Sequence, residues 1–236
     1  MSDQNRKKTK ARDGELFAKA RKELFTAVIG DVMDVMGYRH QFLPPEIKPL
    51  NVEGLLIGRA MTVLEADVFH HALGNSDQPL MDRAFGLMFE ALDDLKEDEI
   101  YLAAGASPNY ALWGELLSTR AMKLGAAGAI VAGYHRDTSG ILKLGFPVFS
   151  YGAYGQDQGP RGKVIAWRVP IEIGGVTIND GDVVVGDIDG VCAVPSDICD
   201  EVFSRAFVKA SAEKKVLTAL QQGIKAQEAW DTFGIM

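Results

Sequence analysis

The stretch GAIVAGYHRDTSGI, residues 128–141, carries an apolar run straight into His135, Arg136 and Asp137. A guanidinium beside a carboxylate at a strand end has two uses. The pair can close on itself as an ion pair, or it can face a cleft. In open α/β sheets, ligands bind in the crevice outside the carboxyl ends of the strands. A charged pair directly after the apolar run sits at such an end. The letters HRD also occur in the protein-kinase catalytic loop. That reading fails, because the asparagine expected five residues past the aspartate is Leu142, and no DFG follows.

A second candidate lies upstream. ASPNYALWGELLSTRA (106–121) joins a strand to a helix, with Gly114 and Glu115 where the helix should begin. The free amides of a first helical turn form an anion site, here those of Leu116 and Leu117. Glu115 has a plainer role too, as a complement to the helix dipole. The third candidate is Glu213. Ala206, Ala210, Glu213, Leu217 and Leu220 recur at spacings of four and three, which sets a carboxylate on an apolar stripe. Such a group needs a partner; Lys209 on the same helix and a neighbouring chain are the two options. Asp182, Asp187 and Asp189 sit among Gly-containing turns and read as turn chemistry rather than a cation site. His70 and His71 are adjacent, cannot share one helix face, and are read as ordinary.

These residues need a frame. Leu16, Ala20, Leu24, Val28, Val32 and Val35 follow a helical period that Gly37 would end. Three prolines in QFLPPEIKPL mark a connector. GLLIGRAMTVLEA (54–66) is a strand pair or one bent strand, and 76–93 carries a helical pattern. DEIYLAAG, WGELLSTRAMKLG, GAIVAGY and GFPVFSYG then alternate strand, helix, strand and strand, which predicts parallel strands with a crossover. The segment 163–195 is cut by Gly-Gly, Asn-Asp-Gly and Asp-Gly into short hairpin strands. A final helix runs over 196–222, with Ser196 as its expected N-cap.

The 236 residues can bury a single sizeable core. A net charge of −7 argues against broad nucleic-acid binding. The one basic run, Arg6 to Arg12, is expected to be a flexible terminus over residues 1–13, ahead of one domain over 14–236. Cys192 and Cys199 show no metal-ligand spacing and no disulfide framework. Neither a signal core nor an apolar run of membrane-spanning length is visible, so the cytoplasm is the expected compartment, with no membrane partner.

WGELLSTRAMKLGAAGAIVAGYHRD resembles the signature of the family that holds 4-hydroxy-4-methyl-2-oxoglutarate aldolases and the regulator of ribonuclease activity A, the RraA-like family. TAVIGDVMDVMG, GRAMTV, FPVFSYG, VPIEIGGVTINDGDVVVGDIDGVCAVP and AEKKVLTALQQG agree with it in order, over roughly residues 24–223. The resemblance implies an α/β domain of compact β/β/α layers, with helices at both ends of the chain. It implies homotrimers or homohexamers with sites between subunits. It implies that Asp137 binds a divalent metal, usually Mg²⁺ with Mn²⁺ as an alternative, that Arg136 holds a pyruvyl or enolate group, and that Glu115 orients water on the metal. The substrate carboxylate would rest at Gly114, Leu116 and Leu117, and Glu213 of a neighbouring subunit would complete the site. The implied activity is a metal-dependent retro-aldol lyase on a 4-hydroxy-2-keto acid, with oxaloacetate decarboxylation sharing the same enolate. A non-catalytic ribonuclease regulator and a lyase on a sugar-acid derivative are the alternatives. GASPNYA and TSGILKLGFPVF depart from the family's usual text on either side of the site, which bears on the substrate.

Overall fold

A computed structural model describes residues 3–68, 80 and 82–235, with the side chains of 3–11 left aside. His70, His71 and residues 76–79 and 81 of the helical pattern expected over 76–93 lie outside the described residues; 82–87 form turns instead, with Gly86 in a left-handed backbone bridged to Val164, and the helix begins only at Met88.

The periodic N-terminal run forms two helices rather than one, α1 (Asp3–Glu23) and α2 (Thr26–Val35). The break has a tertiary cause. Phe25 is extended, and Thr26 gives its amide (2.8 Å) and hydroxyl (2.6 Å) to the buried carboxylate of Asp187, far along the chain. An acid at a helix start accepts the unpaired amides and suits the dipole, so local periodicity is overruled. α1 also runs through the boundary expected after residue 13, and Asp13 is bonded to Arg59 at 2.7 and 2.9 Å.

Next come β1 (Lys48–Pro49), β2 (Leu56–Asp67), α3 (Met88–Asp93), β3 (Glu99–Ala104), β4 (Ala111–Trp113) and α4 (Glu115–Leu124). They are followed by β5 (Gly128–Val131), β6 (Tyr134–His135), α5 (Thr138–Leu144) and β7 (Val148–Ser150). The β-rich segment is β8 (Gly162–Trp167), β9 (Ile171–Ile173), β10 (Val176–Ile178), β11 (Val183–Asp187) and β12 (Gly190–Val194). The chain ends in α6 (Cys199–Gln221) and α7 (Ala226–Phe233).

The result is a mixed α/β fold. Its main sheet runs β1-β7-β5-β3-β2-β11-β12. β2, β3, β5 and β7 are parallel, as the strand–helix rhythm predicts. β2 is long enough to branch the sheet. Its first half pairs antiparallel with β11 (Val183↔Arg59), and its second half with β8 (Glu65↔Val164), after a register shift between Leu64 and Glu65. One core packs α1, α2 and α6 on β11 and β12; a second packs α3, α4 and α5 on the parallel strands; a third fills the space between the curled sheet and the β9–β10 hairpin.

Ser196 is not the cap of the last helix. α6 starts at Cys199, and the Ser196 amide is taken by Asp182 at 2.9 Å. Asp182 and Asp187 accept backbone amides across turns, from Asn179 (2.8 Å) and Asp189 (2.9 Å), so these carboxylates do the turn chemistry expected of them. Cys192 and Cys199 are free and buried.

Candidate active site

The apolar run that opens on Gly128 does not remain in the main sheet. β5 stops at Val131, and the chain steps across to β6, which pairs with β4 in a separate two-stranded sheet (Ala111↔Tyr134). Both strands of that small sheet end at the site. β4 runs into Gly114 and α4; β6 runs into Arg136, Asp137 and α5. The Arg136 amide donates to the Trp113 carbonyl at 2.9 Å, which locks the two strand ends together. Trp113 itself is buried against Tyr101 and Phe146, and its indole N–H donates to Ser118 in α4 at 2.7 Å. The site therefore rests on packed strand ends rather than on free loops.

Asp137 adopts a left-handed backbone, φ 58° and ψ 34°, at the start of α5. Aspartate tolerates this region better than most residues, and the twist turns its carboxylate back toward α4. Its Oδ2 accepts the Glu115 amide at 3.4 Å and lies 3.8 Å from Arg136 Nε. Gly114 makes room for it, since a Cβ there would come 2.8 Å from that same oxygen. Arg136 is held mainly from the other side, Nη1 to Asp157 Oδ1 at 2.7 Å. The two residues are thus not locked to each other.

Gly114, Leu116, Leu117, Arg136 and Asp137 all line one cleft of 170 Å³, closed by Asp157, Gln158, Phe85 and Phe89. The N-cap of α4, Gly114, has no side chain to cap it, and beyond the Glu115 amide, which reaches Asp137, the first-turn amides have no intrahelical partner. Glu115 does not line the cleft wall. Its carboxylate lies over Gly140 in α5, one turn on from Asp137. Three larger clefts, of 570, 640 and 710 Å³, contain neither Arg136 nor Asp137; the 570 Å³ one adjoins this cleft at Phe85 and Phe89.

Gly140 yields a sharp prediction. A Cβ at residue 140 would overlap the Glu115 carboxylate, the movable end of a flexible side chain. Alanine also favours a helix over glycine by about 1 kcal/mol. Gly140→Ala should therefore keep or slightly raise the melting temperature while lowering turnover about tenfold by displacing Glu115. Melting and rate measured on one preparation check this. Equal turnover in the variant would remove Glu115 from the site.

Glu213 is not brought to the cleft within one chain. It lies on α6, half-buried, with its Oε1 2.8 Å from Lys209 Nζ, and Lys209 also reaches Asp31 at 3.2 Å. The Glu213 hydrogen bond is the main reason the Lys209 pKa is raised. The apolar stripe passes through Ala206, Ala210 and Val216 rather than Leu217, which is exposed. Among the described residues, no group of three or more His, Cys, Asp and Glu side chains gathers as a metal site, and no helix is long and apolar enough to cross a membrane.

The RraA-like family model, described as Aldolase/RraA, matches residues 26–193. This chain belongs to the RraA-like family. Within 205 residues it is 30% identical to the "Putative 4-hydroxy-4-methyl-2-oxoglutarate aldolase" of Halalkalibacterium halodurans, covering 87% of this chain and 89% of that protein. It is 27% identical over 214 residues to Protein DlpA of Legionella pneumophila, covering 88% of this chain. The chain spans only about a third (32%) of DlpA's length. An uncharacterized protein from Pseudomonas syringae pv. tomato has the same fold, with a TM-score of 0.80 at 24% identity over 93% of this chain and 94% of that one.

Three residues in or behind this candidate cleft carry no mark in the sequence that singles them out. Asp157 and Gln158 sit in GQDQGPRG, which reads only as a Gly- and Pro-containing loop. Glu65 lies within a strand as a lone acid. It is 2% exposed, and its Oε2 accepts the Gln158 amide at 2.6 Å. Burial pushes its pKa up to about 8, against the opposing pull of that hydrogen bond. The one available signal was the position of Glu65 between Leu64 and Ala66, next to the apolar run AMTVL.

Proposed function

We propose that this RraA-like chain is a divalent-metal-dependent lyase that cleaves a carbon–carbon bond in a 4-hydroxy-2-keto acid by a retro-aldol reaction. The observation that carries this reading is the placement of Arg136 and Asp137 side by side in one cleft, with the carboxylate bonded mainly to a backbone amide and the guanidinium anchored by a third residue. The relative from Halalkalibacterium halodurans supports it by name.

The residues present fit a hard cation. The Asp137 side chain is 46% exposed, its one amide contact is long, and Gly114 keeps the space beside Oδ2 clear. Mg²⁺ and Mn²⁺ are held in such enzymes by one or two carboxylates plus water and substrate oxygens, so Asp137 is sufficient as the direct protein ligand. A bound cation would supply Lewis-acid polarisation of the 2-keto oxygen. The chain's own groups do the rest. The first-turn amides at Leu116 and Leu117 receive the substrate carboxylate. As the 4-hydroxyl loses its proton, the C3–C4 bond breaks and its electron pair moves to the C2 oxygen, where the Arg136 guanidinium stabilises the enolate. A carbonyl product leaves, and C3 takes a proton to give pyruvate. Glu115 orders the water that moves these protons. Oxaloacetate, which passes through the same enolate on loss of CO₂, is the second substrate of this reading.

Glu213 would act from a neighbouring subunit of a homotrimer or homohexamer, because its own chain keeps it at Lys209. The ribonuclease regulators that the sequence resemblance also implies define the rival reading. One assay separates them. Pyruvate release over a panel of 4-substituted 4-hydroxy-2-keto acids and oxaloacetate, with and without a chelator, should show turnover that chelation abolishes and that Glu213→Gln lowers at least tenfold. Release that ignores chelation removes the metal. No release from any member of the panel favours the regulator.

A further inference from the structure

We propose that Glu65 is a positioning residue for this cleft: its buried carboxyl group clamps Gln158 and through it sets Asp157 against Arg136. The proposal rests on the lyase reading for its kinetic arm and on the structure alone for its clamp.

Glu65 lies where the register of β2 shifts against β8; the extra residue, Ile165, is on β8, so the alternation of β2 is unbroken and sets Glu65 on the buried face of Met61 and Val63. Its Oε2 takes the Gln158 amide; its Oε1 is buried with no hydrogen-bond partner. A buried carboxyl with one oxygen unpaired is costly, and its persistence calls for a reason. The reason lies in what Gln158 does. It is 3% exposed, lines the cleft, and its carbonyl accepts the amides of Arg161 (2.7 Å) and Gly162 (2.9 Å). The adjacent Asp157 holds Arg136 with one oxygen and the Gly159 amide, at 3.2 Å, with the other. Arg161 closes the turn on the Asp157 carbonyl at 2.9 Å. The far end of the 157–162 turn is tied to the end of β2 by the Val68 amide on the Arg161 carbonyl at 2.7 Å, and Glu65 holds its near end from behind at Gln158, next to the Asp157 that meets the guanidinium in front.

Charge state decides how the clamp behaves. Around Glu65, Tyr101 from β3 is fully buried, Tyr110 donates to Asp67 at 2.7 Å, and Lys163 from β8 donates to the carbonyls of Arg83 and Ala84. Among the described residues, none of these neighbours forms an ion pair with Glu65. At neutral pH the group is a neutral acid. Ionisation places an unpaired negative charge behind Asp157 and Arg136, which weakens the hold on an anionic substrate.

Three arms test the clamp. In native hydrogen exchange, Glu65→Ala should speed exchange at the Gly159, Arg161 and Gly162 amides about tenfold or more, and Glu65→Gln should restore slow exchange. In kinetics with Mg²⁺ and the best keto acid, Glu65→Ala should raise KM more than it lowers kcat, with Glu65→Gln rescuing KM. Wild-type KM should rise about fivefold between pH 7 and 9, and Glu65→Gln should flatten that rise. If Glu65→Ala does not fold, Gln158→Ala, which removes the other half of the clamp, takes its place in the exchange arm with the same expected speeding. Unchanged exchange at the three amides in the alanine variant, or a Glu65→Gln variant with the wild-type pH profile, overturns the proposal. Absence of any turnover counts against the lyase reading instead, and the exchange arm still decides the clamp.

Discussion

Asp137→Asn should lower pyruvate release about a thousandfold while leaving the fold intact. The substitution is nearly isosteric. Asparagine tolerates the left-handed backbone at this position as well as aspartate does, so the φ of 58° adds no strain. No side-chain cap of α5 is lost, because Asp137 makes none. The contact to the Glu115 amide can be kept by the asparagine oxygen. What disappears is the negative charge on the one protein ligand proposed for the cation. Metal-assisted stabilisation of developing charge is worth several kcal/mol, and about 4 kcal/mol is a factor of 10³. Thermal melting should therefore change by no more than a few degrees, while Mg²⁺ titration loses its signal and turnover collapses. Asp137→Ala separates the two effects, because alanine in the left-handed region costs about 1 kcal/mol and should also lower the melting temperature. A variant Asp137→Asn that keeps a tenth of wild-type turnover would show that Asp137 is not the cation's ligand.

Much of this site was legible because its elements are short and punctuated. Gly125 ends α4 in the left-handed conformation, as its place after LSTRAMKL predicts, and Glu115 opens the helix. Arg136 and Asp137 follow a strand, although that strand is β6 rather than a continuation of β5. An apolar run carries no mark of the point where it leaves one sheet for another, so the step at Ala132 and Gly133 was invisible. The split between α1 and α2 was equally hidden, because the Asp187 that imposes it lies 161 residues away from Thr26. The same holds for the Ser196 amide, claimed by Asp182 across the fold. Asp157 has no local pattern, and Glu65 has only its place beside the apolar run AMTVL. An acid in a loop and an acid in an alternating strand both read as solvated, and only the pairing of β2 with β8 and the 157–162 turn buries one and aims the other. Periodicity reports which face an element buries. It does not report which distant polar group will claim a given amide or carboxyl.

Glu65→Gln should make the protein more stable at alkaline pH and change little near pH 5. In the unfolded chain this carboxyl titrates near its ordinary value of 4.5; in the folded protein burial holds the proton until about pH 8. Between those values the native state binds more protons than the unfolded state, so stability falls as pH rises through the window and levels off above it. This is the reverse of the trend for a salt-bridged carboxylate. At about 1.4 kcal/mol per pH unit the full penalty is on the order of 3–5 kcal/mol, a large part of a typical domain's stability. Glutamine keeps the shape and an oxygen for the Gln158 amide but has no charge to bury, so it removes the slope. Denaturant midpoints at pH 5, 7 and 8.5 provide the check: the two proteins should nearly coincide at pH 5 and separate steadily toward pH 8.5. Parallel curves would mean that Glu65 ionises in the folded protein as freely as in the unfolded one. Water would then have to reach its unpaired oxygen, and the carboxyl would hold Gln158 as an anion rather than as an acid.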